Sequence, residues 1–278
     1  MNYRHAFHAG NFADCLKHAV LHWLFTAMAR KEGAIFVLDT HAGAGAYRLD
    51  GPEAVRTGEH GQGITRLLAM PAPAALAPWL AAVRRAGEGA YPGSPALLGA
   101  LLRGQDRMAC CELHPEDFAA LRRGFRADAR IGIHHRDGWA AIGALLPPRE
   151  RRALVLIDPP YEADGEIARL AEALRLAHAR MKGAVLAGWF PIKHRAPLHA
   201  LRAAIREAGP PDAVEVRFCR ASPLDPARLN GAGLVLVNPP FGWEDGLGAI
   251  LRALEAGLGV PRDAAADTGG AMLRLTDE

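Results

Sequence analysis

The sequence has no long apolar run and few cysteines, and each absence excludes a class of protein. The 278 residues contain no stretch of roughly 18 uncharged apolar residues, so we do not expect a membrane-spanning helix. The four cysteines form no Cys-x-x-Cys pair, and Cys110 and Cys111 are adjacent and cannot easily bond to each other. We therefore expect reduced thiols in a cytoplasmic protein.

Neither sign of charge dominates the composition. The 33 lysines and arginines nearly balance 30 aspartates and glutamates, and the formal net charge of +3 is weak evidence for a polyanionic partner. Only 4 of the basic residues are lysines. Arginine binds phosphate through paired hydrogen bonds, so Arg84–Arg85 and Arg122–Arg123 could face a nucleic acid. Most such clusters are solvated helix faces, and the charge pattern leaves the partner open.

Short apolar segments alternate with helical patterns along the chain. We predict strands at residues 34–39, 108–113, 131–134, 154–158, 184–190, 214–219 and 234–238. Nearly continuous apolar strands separated by helices are typical of a parallel sheet covered on both faces. The sequence therefore predicts an α/β fold with a seven-stranded, mostly parallel sheet in one domain, residues 1–278. A first helix should follow the cap residue Asn11, and a small helical insert should occupy roughly residues 50–91.

Asp158-Pro159-Pro160-Tyr161 carries the strongest chemical signal. It directly follows an apolar predicted strand, and ligands of open parallel sheets bind beyond the carboxyl ends of the strands. The prolines stiffen the backbone and remove two N–H donors, which leaves carbonyl acceptors. The Asp158 carboxylate and the Pro159 carbonyl can each accept one N–H of an exocyclic amine, and Tyr161 can stack on its ring. This pattern predicts Asp158 as catalytic residue, with Pro159 and Tyr161 as substrate contacts.

A second copy of the pattern, Asn238-Pro239-Pro240-Phe241, also follows an apolar segment. Asn238 replaces the carboxylate, and this segment is the seventh predicted strand, which we expect toward the edge of the sheet. The fourth predicted strand, before Asp158, should lie beside the first, at the switch point where ligands bind. We therefore predict a structural role for residues 238–241.

Further polar positions follow the other predicted strands in order. Residues 39–45 end the first strand in a turn whose Gly43 lets a ligand approach the backbone. Arg48 stands where a dinucleotide fingerprint would have its third glycine, so S-adenosylmethionine (SAM) fits better than a nicotinamide dinucleotide. Glu112 ends the second strand, where a carboxylate commonly binds a ribose diol. Asp137-Gly138 follows the third strand, where Asp137 could bind the adenine amine of the cofactor.

The N-terminal segment Tyr3-Arg4-His5-Ala6-Phe7-His8 is aromatic and basic. With Cys15 and His18, its histidines approach the spacing of metal ligands, but no Cys-x-x-Cys pair accompanies them, so we predict no metal site. We expect instead an arm over the active site, with Tyr3 stacking on a nucleic acid and Arg4 on a phosphate.

Taken together, these blocks resemble the RlmJ family of large-subunit rRNA adenine-N6 methyltransferases. The resemblance is carried by residues 3–11, 14, 17–18, 38–45, 91–95, 112–115, 156–162, 189–191 and 238–240. It implies a monomeric, Rossmann-like class I SAM-dependent methyltransferase with a small helical insert. It also implies that Tyr3 contacts RNA and that Lys17 lies near the target. SAM contacts are implied at His18, His41, Ser94, Glu112, Asp137, Gly138 and Asp158, to which the turn adds Gly43.

The resulting hypothesis is methyl transfer from SAM to N6 of a specific adenine in 23S rRNA, by a cytoplasmic monomer without an obligate protein partner or membrane. A DNA adenine-N6 methyltransferase shares Asp-Pro-Pro-Tyr, and only the N-terminal block argues against it. A protein glutamine methyltransferase tends to use Asn-Pro-Pro-Tyr, and a nicotinamide oxidoreductase would need the absent glycine. A non-catalytic RNA-binding assembly factor with the same fold also stays open.

Overall fold

The architecture comes from a computed structural model that describes residues 4–277. The helices are α1 Phe12–Ala29, α2 Pro52–Thr57, α3 Ile64–Leu68, α4 Ala77–Arg85, α5 Ser94–Gly99, α6 Pro115–Phe125, α7 Gly138–Leu145, α8 Glu166–Arg180, α9 Arg195–Ala208 and α10 Trp243–Leu258. The strands are β1 Ile35–Asp39, β2 Ala46–Arg48, β3 Ala90–Pro92, β4 Arg107–Glu112, β5 Ile131–His135, β6 Arg152–Ile157, β7 Val185–Ile192, β8 Ala213–Cys219, β9 Gly231–Val237 and β10 Gly269–Arg274. Short 3-10 helices span His5–Phe7 and Glu59–Gln62.

Eight strands form one sheet in the order β10-β8-β9-β7-β6-β1-β4-β5, and β2 pairs separately with β3. The strands β1, β4, β5, β6 and β7 are parallel, whereas β9 is antiparallel to both of its neighbours. All seven predicted strands are present, which confirms the α/β fold with a mostly parallel sheet. The predicted number of strands is one too low, because β10 starts with two glycines and lies partly exposed, so it contains no continuous apolar run.

The winding of the chain places the switch point at β1. From β1 the chain adds β4 and β5 on one side and β6 and β7 on the other. Side chains from α1, α4, α5 and α10 join the core on one face of the sheet, and those from α7, α8 and α9 join the core on the other. The residues that follow β1, β4, β5 and β6 therefore meet at one open edge.

The seventh predicted strand, β9, lies between β7 and β8 and is third from the β10 side of the sheet, so it lies toward the edge, as predicted, but is not the edge strand. Since β9 is antiparallel to β7, its carboxyl end lies beside the start of β7. Asn238 therefore lies at the opposite end of the strands from Asp158. Nδ2 of Asn238 donates to the carbonyl oxygens of Lys182 (2.7 Å) and Ala184 (3.0 Å). These hydrogen bonds join the end of β9 to the start of β7, which confirms a structural role for Asn238.

Helix α1 passes through the interior of the protein. Asn11 caps it as predicted, because its side chain accepts hydrogen bonds from the N–H groups of Ala13 and Asp14. Fourteen of its 18 residues are buried, and burial of Leu16 alone contributes about 1.5–3 kcal/mol. Even so, within residues 4–277 no helix combines the length and the apolar character needed to cross a membrane. The buried polar residues of α1, such as Lys17, need partners inside the protein.

The segment predicted as a helical insert, residues 50–91, contains α2, α3 and α4. Arg48 of β2 pairs with Ala90 of β3, so the chain enters and leaves this segment at one antiparallel pair. Ile64 and Trp79 from the segment are buried in the same core as α1. The extent of the segment as a separate unit stays a prediction.

Candidate active site

A cleft of about 910 Å³ opens at the carboxyl edge of the parallel strands. Turns after β1, β4, β5 and β6 form one side, and α1 with the residues around 57–62 forms another. The predicted site residues that line it are Lys17, His18, His41, Gly43, Ser94, Glu112, Asp137, Gly138, Asp158, Pro159 and Tyr161. Tyr3, predicted to contact RNA, lies outside the described residues.

Asp158 is bound to Lys17. Nζ of Lys17 donates to Oδ2 of Asp158 at 2.7 Å and lies 3.0 Å from Oδ1 of Asp14. Oδ2 of Asp14 also accepts from the Gly10 N–H and lies 2.9 Å from Nε2 of His5. A chain of charged and polar groups therefore runs from the N-terminal segment through α1 to the loop after β6.

Burial and charge act in opposite directions on this chain of groups. Burial disfavours the charged form of Lys17, but the carboxylates of Asp14 and Asp158 raise its pKa above the ordinary value. Burial also disfavours ionised Asp14, yet His5 and Lys17 hold its pKa well below the ordinary value. At neutral pH Lys17 is therefore an ammonium ion, which donates hydrogen bonds and cannot accept a proton.

The loop after β6 also holds an aromatic wall in place. Tyr161 has φ = +55°, in the left-handed region that a bulky residue rarely adopts. Its hydroxyl donates to the carbonyl oxygen of Trp189 at 2.5 Å, and the two ring centroids are 5.6 Å apart. The Trp189 ring in turn lies 5.8 Å from Nζ of Lys17. These contacts hold the strained turn and keep two aromatic rings beside Asp158.

Glu112 is held in one orientation by two backbone donors. Its Oε2 accepts from the Gly43 N–H at 2.8 Å, and its Oε1 accepts from the His114 N–H at 2.7 Å. Burial raises the pKa of Glu112, and these hydrogen bonds oppose the rise. Each oxygen keeps a further lone pair, so Glu112 can still accept hydroxyl groups of a ligand.

The turn after β5 lies directly against the turn after β1. Asp137 caps α7 by accepting from the Ala140 N–H at 2.9 Å. A Cβ added at Gly138 would lie 2.0 Å from the carbonyl oxygen of Thr40 and 2.8 Å from the His41 ring. The absence of a side chain at Gly138 therefore allows α7 to begin against β1.

Burial also controls the charge of the remaining polar groups. It lowers the pKa of His18 to about 3 and that of His41 to about 4, so both rings are neutral at pH 7. Burial raises the pKa of Asp39 to about 7, and the hydrogen bond from Oγ of Ser94 (2.6 Å) opposes this rise. Nδ1 of His18 lies 2.7 Å from the Tyr91 hydroxyl. This side of the cleft thus presents neutral rings together with carboxylates.

Pattern reasoning did not single out Trp139, which also lines the cleft. Its ring lies 5.2 Å from the His41 ring and 4.6 Å from the Arg169 guanidinium. The available signal was an aromatic residue directly after Asp137-Gly138.

His8, weighed as a metal ligand, binds the Glu59 carboxylate at 3.0 Å.

Comparison with known proteins identifies the family. A family model described as ribosomal RNA large subunit methyltransferase D, RlmJ, matches residues 32–268. Ribosomal RNA large subunit methyltransferase J of Haemophilus influenzae is 35% identical over 260 residues, which cover 91% of this chain and 92% of that protein. The protein of the same name from Escherichia coli is 34% identical over 263 residues, with coverages of 93% and 94%. The crystal structure of protein LPL1258 from Legionella pneumophila matches with a TM-score of 0.83 at 27% identity, covering 96% of this chain and 97% of that one. The chain therefore belongs to the RlmJ family of ribosomal RNA large subunit methyltransferases.

Proposed function

We propose that this protein transfers a methyl group from SAM to N6 of one adenine in 23S rRNA. The observation that carries the proposal is the loop Asp158-Pro159-Pro160-Tyr161, which follows β6 beside β1 and lines the cleft. Curated relatives that match more than nine-tenths of the chain are rRNA methyltransferases. We further propose that it acts in the cytoplasm as a monomer without an obligate protein partner, as the family resemblance implies.

The residues on the β1–β5 side of the cleft fit SAM. Glu112 offers oriented acceptors for a ribose diol, and Asp137 offers one for the adenine amine. Gly43, with φ = +59°, and Gly138, whose missing side chain makes room for Thr40 and His41, shape the two turns that line this side of the cleft. The carboxylates on this side also balance the positive charge of the cofactor. When bound, SAM supplies the methyl group on a sulfonium that is already an activated leaving group.

The proposed chemistry places the target amine between two acceptors. Oδ2 of Asp158 is bound to Lys17, but the carboxylate has further lone pairs. Within residues 4–277 no donor occupies the Pro159 carbonyl. Each of these acceptors can take one amine hydrogen, which directs the nitrogen lone pair toward the methyl group. Catalysis then depends mainly on in-line placement, and the methylated cationic nitrogen loses a proton readily, so Asp158 need not be a strong base.

Lys17 has a positioning role in this proposal. Because Asp14 anchors its ammonium group from the other side, Lys17 fixes the orientation of the Asp158 carboxylate. The target adenine must leave its stack to reach the cleft, and Tyr161 and Trp189 would replace its lost neighbours. Lys17 and the aromatic pair together define where the amine is held.

Gly138→Ala is expected to weaken SAM binding at least about tenfold. The new Cβ would lie 2.0 Å from the carbonyl oxygen of Thr40 in the turn after β1, so the start of α7 and its cap residue Asp137 must move. Overpacking of this kind costs about 1–3 kcal/mol. Calorimetric titration with SAM measures the effect.

Gly143→Ala is the matched control for this prediction. Gly143 lies in the same helix, and a Cβ added there meets nothing within 4 Å. SAM affinity should stay unchanged, and the helix should gain about 0.5–1 kcal/mol in stability. Equal SAM affinities for the two variants would contradict the placement of the cofactor against Gly138.

Mapping of N6-methyladenine by mass spectrometry in rRNA from cells with and without the gene tests the proposed function. We expect one 23S rRNA adenine to lose its methyl group in the deletion strain and to regain it on complementation. The purified protein should methylate unmodified 23S rRNA and leave duplex DNA unmodified, which separates it from a DNA adenine methyltransferase. Unchanged rRNA methylation would reject the proposal, and absence of SAM binding as well would favour a non-catalytic assembly factor.

A further inference from the structure

Three basic side chains line the cleft on the side away from the proposed cofactor residues. Lys193 follows β7, Arg220 follows β8 and Arg228 precedes β9. Because β8 runs in the direction of β7 and β9 runs in the opposite direction, all three positions lie at the same edge of the sheet as Asp158. We call Lys193, Arg220 and Arg228 the basic rim.

One buried asparagine holds the segments of the basic rim together. Asn230 is 3% exposed, and its Nδ2 donates to the carbonyl oxygens of Lys193 (2.7 Å) and Asp225 (2.8 Å). The carbonyl oxygen of Asn230 accepts from the Arg220 N–H at 2.7 Å, and that of Asp225 accepts from the Arg228 N–H at 3.3 Å. The backbone of the rim is therefore one preorganised unit rather than three independent loops.

The rim side chains are exposed, and no carboxylate of residues 4–277 forms an ion pair with them. By contrast, the neighbouring Arg217 is paired with both Glu215 and Asp267. The carboxylate of Asp225, which lies in the rim loop, accepts from the N–H of Ala227. The rim cations thus stay available to an external anion.

The two ends of the cleft differ in charge. Glu112, Asp137 and Asp158 lie on the cofactor side, whereas the opposite end presents the basic rim. The neutral side chain of Gln62 accepts from Arg220, which holds this guanidinium at the cleft without neutralising it. A polyanion is therefore repelled from one end and attracted to the other. Arginine binds phosphate through paired hydrogen bonds and lysine as a point charge.

We propose that the basic rim binds the phosphodiester backbone of the RNA strand that flanks the target adenosine. This inference rests on the proposed function, because it places the RNA of that reaction. Phosphate contacts position a strand without reading its sequence. The rim would hold the strand while the flipped base reaches Asp158.

The test replaces the rim by Lys193→Gln, Arg220→Gln and Arg228→Gln in one variant. Fluorescence anisotropy with a labelled, unmodified 23S rRNA fragment measures binding at several salt concentrations. We expect the affinity to fall at least about tenfold. The negative slope of log K against log salt should become shallower by about 2, because each of the three phosphate contacts to a single strand contributes about −0.7 to it.

The matched control removes the same charge elsewhere, by glutamine substitutions at Arg122, Arg123 and Arg126, which are exposed and lie outside the cleft. An unchanged affinity and slope in the rim variant, or equal losses in the control, would overturn the proposal. In steady-state methylation the rim variant should raise the KM for RNA and leave kcat and SAM affinity unchanged. If the wild-type enzyme methylates no rRNA, the proposed function fails, whereas anisotropy still tests the rim by itself.

Discussion

Asp158→Asn is expected to lower kcat for rRNA methylation by about 10²–10³-fold, which is the usual effect of removing one preorganised electrostatic group. The substitution keeps the size of the side chain but replaces an anionic acceptor by an amide, whose NH2 group donates where the target amine also donates. It also removes the charge that Lys17 binds at 2.7 Å. SAM affinity should fall as well, because a carboxylate near the cationic cofactor is lost. Single-turnover methyl transfer and calorimetry measure the two effects.

The second Pro-Pro loop supplies the control for this prediction. Asn238 lies at the opposite edge of the sheet and donates to two backbone carbonyl groups. Asn238→Ala should therefore lower the free energy of unfolding by about 1–3 kcal/mol and leave kcat unchanged. Near-normal turnover in Asp158→Asn, or a comparable loss of kcat in Asn238→Ala, would refute the assignment of the chemistry to Asp158.

Lys17→Met is expected to lower the free energy of unfolding by about 3 kcal/mol at pH 8, in the range found when a buried ion pair loses one partner. The Lys17 side chain is 5% exposed and lies between two carboxylates. Methionine fills a similar volume but leaves Asp14 buried with one fewer cationic partner. Methyl transfer should fall about 100-fold, because Asp158 loses the group that orients it.

The stability loss in Lys17→Met should be larger at pH 8 than at pH 5. Without Lys17 we expect burial to raise the pKa of Asp14 above its value in the unfolded chain. A carboxyl group whose pKa is higher in the folded state destabilises the fold as the pH rises through that pKa and the group ionises. Denaturant unfolding at both pH values measures this difference. Lys31→Met, at an exposed lysine, should change stability by less than about 0.5 kcal/mol.

A double variant checks the cause of the loss. Adding Asp14→Asn to Lys17→Met removes the stranded charge, so the double variant should recover about 0.5–3 kcal/mol relative to the sum of the single changes. Strictly additive losses would show that Asp14 and Lys17 are not coupled.

The carboxylates of the site were predictable because each one lies at or just beyond the end of an apolar strand, at the point where the chain leaves the core. Glu112, Asp137 and Asp158 each follow such a strand, and parallel strands of an open sheet end at one edge. The contact between Lys17 and Asp158 was not predictable from spacing, since the two residues are 141 positions apart. The resemblance to a family pointed to Lys17, but neither partner of its ammonium group could be read from the pattern.

The order of apolar strands and helices was enough to derive the α/β fold, the cap of α1 and the strand ends that carry the cleft. The folded chain was needed to establish the antiparallel direction of β9, the eighth strand, the sharing of Lys17 between Asp14 and Asp158, and the assembly of the basic rim by Asn230. The physical reason is the range of the interactions. Hydrophobic periodicity is a local property of the chain, whereas strand direction and the pairing of buried charges depend on contacts between distant residues.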